Sequence, residues 1–298
     1  MLDKKIIPIV LLHHDQADVL LRAVKLIHER TIYPFRIFII DNNSPDSEDL
    51  RNTFQILEAE FQAQIIHNSK NNWIYGFNLA LDHPAWPQSQ LYAFSDADIY
   101  VPLSINGVCW LTHLAQEMNS YCAIGKLGLA LDHENLKGNP SLVRSLGIEE
   151  SYLRGPKIGS NIVAPVDTTM ALYRSDYFIT KFRFQIGHAS LAKPQYFTCR
   201  TGDDFKAVHV GWDYYPNNGA QSYSPIKQWN KSLAMVRAGA YVAPELMGEF
   251  RPLQRIFLLV IQFGIRSLHA FKVSALMFWY LAMHFPRRIN EIQAGVRK

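Results

Sequence analysis

Short apolar runs alternate with helical patterns over the first hundred positions of the chain. Ile6-Ile7-Pro8-Ile9-Val10-Leu11-Leu12 has the continuous apolar character of a buried strand and ends at His13-His14-Asp15. From Ala17 to Glu29 the residues Val19, Leu20, Ala23, Val24, Leu26 and Ile27 recur at helical spacing, with Asp15 as the candidate cap. Phe35 to Ile40 predicts a second strand, which runs into Asp41-Asn42-Asn43-Ser44-Pro45-Asp46. Ser47 to Gln62 predicts a helix capped from that loop, and Ala63 to His67 a third strand. This alternation predicts a parallel sheet with helices on its faces. Asn71 to Asn78 forms a polar, glycine-bearing entry to a short helix ending near Asp82. Leu91 to Phe94 then predicts another buried strand, which ends in Ser95-Asp96-Ala97-Asp98.

Farther on, the spacing predicts a helix over Ile105–Asn119 and a strand near Tyr121–Ile124. Residues 126–165 are rich in Gly, Pro, Asn and Ser, and a stretch this long with little periodicity usually carries function. Val166–Arg174 alternates like a strand, Ala207–Tyr214 follows a Gly-Asp-Asp turn, and Pro225–Ala238 has helical spacing. Arg255–Phe285 is strongly apolar but interrupted by Arg255, Gln262, Arg266, His269 and Lys272 along one stripe. Its longest charge-free run, Val273–Met283, falls well short of the ~20 residues that span a bilayer. One or two interfacial helices on an anionic membrane fit this pattern. A helical hairpin packed on the catalytic domain, or on a second subunit in a homodimer, is the competing arrangement. The expected division is a domain over 1–250 and a basic amphipathic tail over 251–298.

Composition sharpens this reading. With 298 residues, 48% hydrophobic and 19% charged, the chain is globular and large enough for a full core. Its net charge of +4 is unevenly spread: residues 250–298 carry eight Lys/Arg against Glu291 alone, and the remainder is net −3. The basicity belongs to the tail, so a nucleic-acid footprint is not expected. Cys109, Cys122 and Cys199 are odd in number and widely spaced, which suggests reduced core residues in an intracellular setting. The apolar run Ile6–Leu12 is too short for a signal-peptide core.

The chemistry concentrates where strands end. His13–Asp15, Asp41–Asp46 and Asp96–Asp98 all follow apolar strands, and ligands of open α/β sheets bind beyond the carboxyl ends of the strands. Asp-x-Asp is common in solvated turns and helix caps. Behind a buried strand, however, two carboxylates need compensation, which Mg²⁺ or Mn²⁺ bridging to ligand phosphates supplies. Neither GxGxxG after the first strand nor GxxxxGK[ST] anywhere is present, which excludes the usual dinucleotide and P-loop sites.

With these residues in place the chain resembles the family 2 glycosyltransferases of the GT-A fold, over about residues 5–215. Ile39-Ile40-Asp41-Asn42-Asn43-Ser44-Pro45-Asp46 is similar to the family's nucleotide-binding loop, Asn72–Asn78 to its N-x-G-x-x-x-N turn, and Ser95–Asp98 to its DxD. Val166-Asp167-Thr168-Thr169-Met170-Ala171-Leu172-Tyr173-Arg174 with His209-Val210-Gly211-Trp212 resembles a narrower subgroup that pairs VDTT-x-ALYR with H-x-x-W. Ile74 stands where the turn usually has glycine, and the family's acidic Glu-Asp pair has no clear counterpart. The resemblance implies a GT-A, Rossmann-like mixed sheet, mostly parallel and flanked by helices, with the C-terminal helices as an extension.

It further implies an inverting, metal-dependent sugar transfer from a UDP-, GDP- or dTDP-sugar to a glycan or lipid-linked acceptor, at the cytoplasmic face of a membrane. Asp98 would ligate the metal, Mn²⁺ or Mg²⁺. Asp96 would bind the donor ribose or the metal through water, and His209 would complete the shell. Asp41, His14, Asn43, Asn72 and Asn78 would hold the nucleotide; the alternatives are a helix or turn cap for Asp41 and a plain loop histidine for His14. Asp167, with Asp204 as substitute, would be the catalytic base, and Trp212 offers a face for a sugar ring or a place in the core. Two rivals stand beside this reading. A sugar-nucleotide nucleotidyltransferase shares the layout and the metal but needs a glycine-rich basic loop after the first strand. A non-catalytic sugar- or lipid-binding scaffold would have no use for an intact Asp96/Asp98 pair.

Overall fold

Four parallel strands carry the N-terminal half, and their ends are level. The computed structural model describes residues 5–121, 124–134, 143–166, 169–175, 198–211, 225–237, 242, 247–248 and 250–284. Strand β1 (Ile7–His13) lies between β2 (Phe35–Asp41) and β4 (Leu91–Asp96), and β3 (Gln64–His67) lies outside β2. His13 pairs opposite Asp41, Asp41 opposite His67, and Leu12 opposite Asp96. The register therefore delivers four polar chain ends to one edge of the sheet.

The flanking helices follow from their apolar spacing. Helix α1 (Ala17–Arg30) buries Val19, Leu20, Ala23, Val24, Leu26 and Ile27, the six residues that predict it. Asp15 does not cap it. Gln16 holds the cap position without a side-chain bond, and Asp15 sits at φ 59° with its N–H donating to Ser44 Oγ at 2.9 Å. Helix α2 (Glu48–Phe61) is capped from the preceding loop, where Ser47 Oγ accepts from the Leu50 N–H at 3.2 Å. A short 3₁₀ turn (Trp73–Phe77) and α3 (Asn78–Leu81) then lead towards β4.

Beyond β4 the sheet becomes mixed. It continues through β10 (Ala171–Arg174), β6 (Lys126–Gly128), β11 (Thr198–Arg200), β9 (Asn161–Val163) and β8 (Lys157–Ile158), nine strands in all among the described residues. β10 runs antiparallel to β4, with Tyr173 opposite Tyr92 and the two rings stacked at 5.4 Å. A second sheet holds β5 (Ile99–Tyr100), β12 (Lys206–His209) and β7 (Ala130–Leu131).

Several boundaries differ from the periodicity. The helix expected from Ile105 starts at Trp110 (α4, Trp110–Ser120), because Ile105 and Val108 bond each other's backbones at 2.9 Å. Asn106 and Gly107 between them have φ 50° and 76°, the positive pair that an Asn-Gly hairpin turn requires. The strand expected at Tyr121–Ile124 is found at Lys126–Gly128, and the aperiodic stretch after it contains β7, α5 (Val143–Tyr152), β8 and β9. Helix α6 (Pro225–Arg237) and a single helix α7 (Pro252–His284) follow, joined by a small core of Val236, Val242, Phe250 and Leu258. Cys109 and Cys199 are buried free thiols, while Cys122 lies outside the described residues.

Candidate active site

The first wall of the site is built on the end of β2. Asn42 is 2% exposed and uses all of its amide capacity: Oδ1 accepts from Asn68 Nδ2 (2.9 Å) and the Asn72 N–H (3.0 Å). Its Nδ2 donates to Asn71 Oδ1 (2.9 Å) and to the Trp73 carbonyl (3.2 Å). One side chain thereby closes the loop 68–73 onto the sheet. Gly76 completes this joint, since a Cβ there would stand 2.9 Å from Leu12 Cδ1 and 3.3 Å from Asn42 Oδ1. Trp73 carries φ 52°, a costly conformation for a bulky residue that the surrounding bonds hold in place.

The expected nucleotide residues have distinct surroundings. Asp41 accepts from the Ser44 N–H at 3.1 Å and faces His67 Nδ1 at 3.2 Å, so it shapes its own turn and keeps lone pairs for a further donor. Asn43 supplies a left-handed turn at φ 64°. Asn72 donates to Asn68 Oδ1 at 3.4 Å, and Asn78 donates to the Tyr75 carbonyl at 3.2 Å. His14 is exposed beside them. Its neighbour His13 is buried against Phe54, its Nε2 has no hydrogen-bond partner, and burial lowers its pKa to about 4.

The second wall is Asp98. Its backbone carbonyl accepts from the Val210 N–H at 3.0 Å, and β5 just beyond it pairs with β12, Ile99 opposite His209. This pairing sets His209 Nε2 3.8 Å from Asp98 Oδ2, too far for a hydrogen bond. Asp98 Oδ1 is buried with no hydrogen-bond partner. Gly211 lies directly beneath, where a Cβ would collide with Oδ2 and stand 3.1 Å from Asp98 Cγ and 3.0 Å from His209 Cε1.

A buried carboxylate oxygen without a partner is costly unless a cation compensates it. Two donors about 2.1 Å from one cation stand about 3.0 Å apart when adjacent and about 4.2 Å apart when opposite, and 3.8 Å lies within that span. Among the described residues no three His, Cys, Asp or Glu side chains converge into a closed metal cage. An open site of this kind leaves coordination positions to ligand oxygens and water. Asp96, half-buried at the end of β4, stands two residues before Asp98.

The base candidates separate. Asp167 and Trp212 lie outside the described residues. Val166 before Asp167 is clamped, its carbonyl accepting from the fully buried Lys126 Nζ at 2.6 Å. Because β10 is antiparallel to β4, with Ala171 opposite Phe94, the chain enters β10 from the Asp96 edge. Asp204 is exposed in the turn before β12. It precedes His209 by five residues, at the opposite end of β12. Asp203 beside it pairs with Lys206 at 2.8 Å, and that hydrogen bond holds its carboxyl below the usual range.

Sequence reasoning did not single out Asn42 as the hub, Gly211 as the floor under Asp98, or Glu149. Burial pushes the Glu149 carboxyl up, but His133 and Arg200 outweigh it and hold Glu149 below the usual carboxylate range. Arg200 grips both of its oxygens, and its guanidinium lies 4.8 Å over the Tyr152 ring. A carboxylate held this way is a structural ion pair and a poor base.

The model of glycosyl transferase family 2 matches residues 9–179. The chain belongs to this family. None of the curated proteins compared with the glycosyltransferase matches it. Among solved structures, it is similar to S. aureus TarS 1-349 at 14% identity, covering 96% of this chain and 88% of that one, with a TM-score of 0.52. GalNAc-T7, in a structure with UDP, GalNAc and Mn²⁺, shares 14% identity over 96% of this chain and 59% of its own, with a TM-score of 0.51. TarS 1-349 in complex with UDP gives 13% identity over 96% and 89%, with a TM-score of 0.50. The glycosyltransferase spans 54% of a longer TarS chain, also at a TM-score of 0.51. These likenesses establish the GT-A fold, the fold class that the sequence motifs imply.

Proposed function

We propose that this glycosyltransferase is inverting and metal-dependent, moving a sugar from a UDP-, GDP- or dTDP-linked donor to a glycan or lipid-linked acceptor at the cytoplasmic face of a membrane. The observation that carries the reading is Asp98: a carboxylate with one buried oxygen unpartnered, His209 facing the other, and a glycine cleared beneath it. The Mn²⁺ and UDP in the GalNAc-T7 structure support the same reading at the level of the fold. Asp98 and His209 would hold Mn²⁺ or Mg²⁺, with Asp96 on the donor ribose or reaching the metal through water, and the cation would neutralise charge developing on a leaving diphosphate.

The chain's own groups do the rest. The Asn42-centred loop fixes the shape of the nucleotide side, and Asp41 accepts a hydrogen bond from a ring N–H of the base. Asp167 removes the acceptor hydroxyl's proton as that oxygen bonds to the anomeric carbon. The bond from that carbon to the diphosphate oxygen breaks on the opposite face, which inverts the configuration. Asp204 is the alternative base.

A thermal-shift panel of nucleoside diphosphates with and without Mn²⁺ tests the donor side. One nucleotide at about 100 times its Kd should stabilise by about 2.7 kcal/mol, and only with metal present. Asp98→Asn should keep the fold and lose both that shift and turnover. Unchanged turnover in Asp98→Asn would exclude the metal assignment.

A further inference from the structure

Nine of the sixteen large hydrophobic side chains that are exposed among the described residues lie on one element, α7. At 100° per residue, Leu253, Ile256, Val260, Phe263, Phe271 and Phe278 share a sector about 80° wide that runs about 37 Å along the helix. The opposite sector is the one that packs: Leu258 and Gln262 are buried and Ile261 and Ile265 half-buried against the small core shared with α6. Past Ile265 every described residue of α7 whose burial is known is exposed. Solvent-facing apolar surface of this extent and continuity marks a partner.

Charge identifies the partner. Residues 250–298 carry a net +7 with Glu291 as their sole acid. Two copies meeting along this helix would bring two segments of net +7 together, whereas an anionic lipid surface attracts such a segment. No helix among the described residues is long and apolar enough to cross a bilayer, so a helix of this kind lies on the surface. We infer that α7 is an in-plane membrane anchor, with its Leu253–Phe278 face at the headgroup–acyl boundary of an anionic leaflet and the net positive charge of residues 250–298 drawing it to lipid phosphates. This deepens the reading of a membrane-associated acceptor but does not depend on turnover, and it is tested without donor or metal.

The test is co-sedimentation of the full chain with vesicles of pure phosphatidylcholine or of phosphatidylcholine with phosphatidylglycerol, at low and high salt. Binding is expected only with phosphatidylglycerol and should weaken with salt. The triple variant Phe263→Ser, Phe271→Ser, Phe278→Ser, all on the exposed face, should bind at least about tenfold more weakly. Its melting temperature should match the wild type. Equal binding to both vesicle types, or a triple variant that binds like the wild type, overturns the proposal. So does a wild-type dimer in sedimentation velocity that the triple variant abolishes while neither protein binds vesicles, because the face then belongs to a second copy. A catalytically silent chain that still binds phosphatidylglycerol vesicles would refute the glycosyltransferase mechanism and leave the anchor standing.

Discussion

Gly211 forms the floor beneath Asp98: the space a Cβ would occupy at 211 is already filled by the Asp98 carboxylate. The two residues are more than a hundred positions apart, and β5–β12 pairing brings them together. Gly211→Ala should therefore act as a partial Asp98 variant. The backbone can accept alanine, but the carboxylate must turn away from His209. Loss of Mn²⁺-dependent turnover by ~10²-fold or more, with a melting temperature within a few degrees of wild type, is the expected outcome. Metal titration of the variant monitored by thermal shift checks it.

Asn42 holds four partners at once, and no other side chain has its shape and both donor and acceptor groups. Asn42→Ala should destabilise the fold by about 3 kcal/mol, because buried amide and carbonyl partners lose their bonds. Asn42→Asp should do no better, since a carboxylate cannot donate to Asn71 Oδ1. Urea unfolding of both variants measures this, and nucleotide affinity should fall in parallel as the loop 68–73 loosens.

His13 predicts a pH dependence of stability. Burial lowers its folded pKa to about 4, against about 6.5 when unfolded, so the folded state keeps it neutral. Its contribution is full above pH 6.5 and is lost as pH falls towards 4, where the unfolded chain binds the extra proton. The loss amounts to about 3 kcal/mol across that window. His13→Gln should flatten the slope of unfolding free energy between pH 6.5 and 4.5, and an unchanged slope would assign the acid sensitivity elsewhere.

The Glu149–Arg200 pair is buried on both sides, with side chains 12% and 8% exposed. Glu149→Gln or Arg200→Met should each cost about 3–5 kcal/mol by stranding a buried charge. The double variant should recover part of that loss, which chemical denaturation would show as a positive coupling. Donor binding in the surviving folded fraction should be near normal, since neither residue is assigned to the donor site.

Asp167 and Asp204 are separated by kinetics. Asp167→Asn should lower transfer by ~10²–10⁴-fold while metal and donor affinity stay near wild type. Asp204→Asn, exposed at the far end of β12, should retain most activity. The reverse pattern in single-turnover assays would move the base to Asp204.

The sequence by itself determined the parallel half of the sheet and its polar edge. Strands β1, β2 and β4 are apolar runs that can only be buried, and the helical spacing of α1 names the residues that α1 buries. These are local signals, written within a dozen residues. The tertiary structure decided what depends on pairing between distant segments. Strands of two or three residues such as β6, β7 and β11 have no period to read and exist because Lys126 meets Thr198 and Ala130 meets Lys206. The Asn-Gly hairpin that delays α4 lay inside a run of helical spacing, where turn chemistry overrode the apolar pattern. At the site, Asp98 was legible from the strand before it, but its distance to His209 and its need for Gly211 follow from β12 lying beside β5. Asn42 looked like one polar loop residue among several; it became the hub because the sheet end beneath it left four amide partners nowhere else to bond.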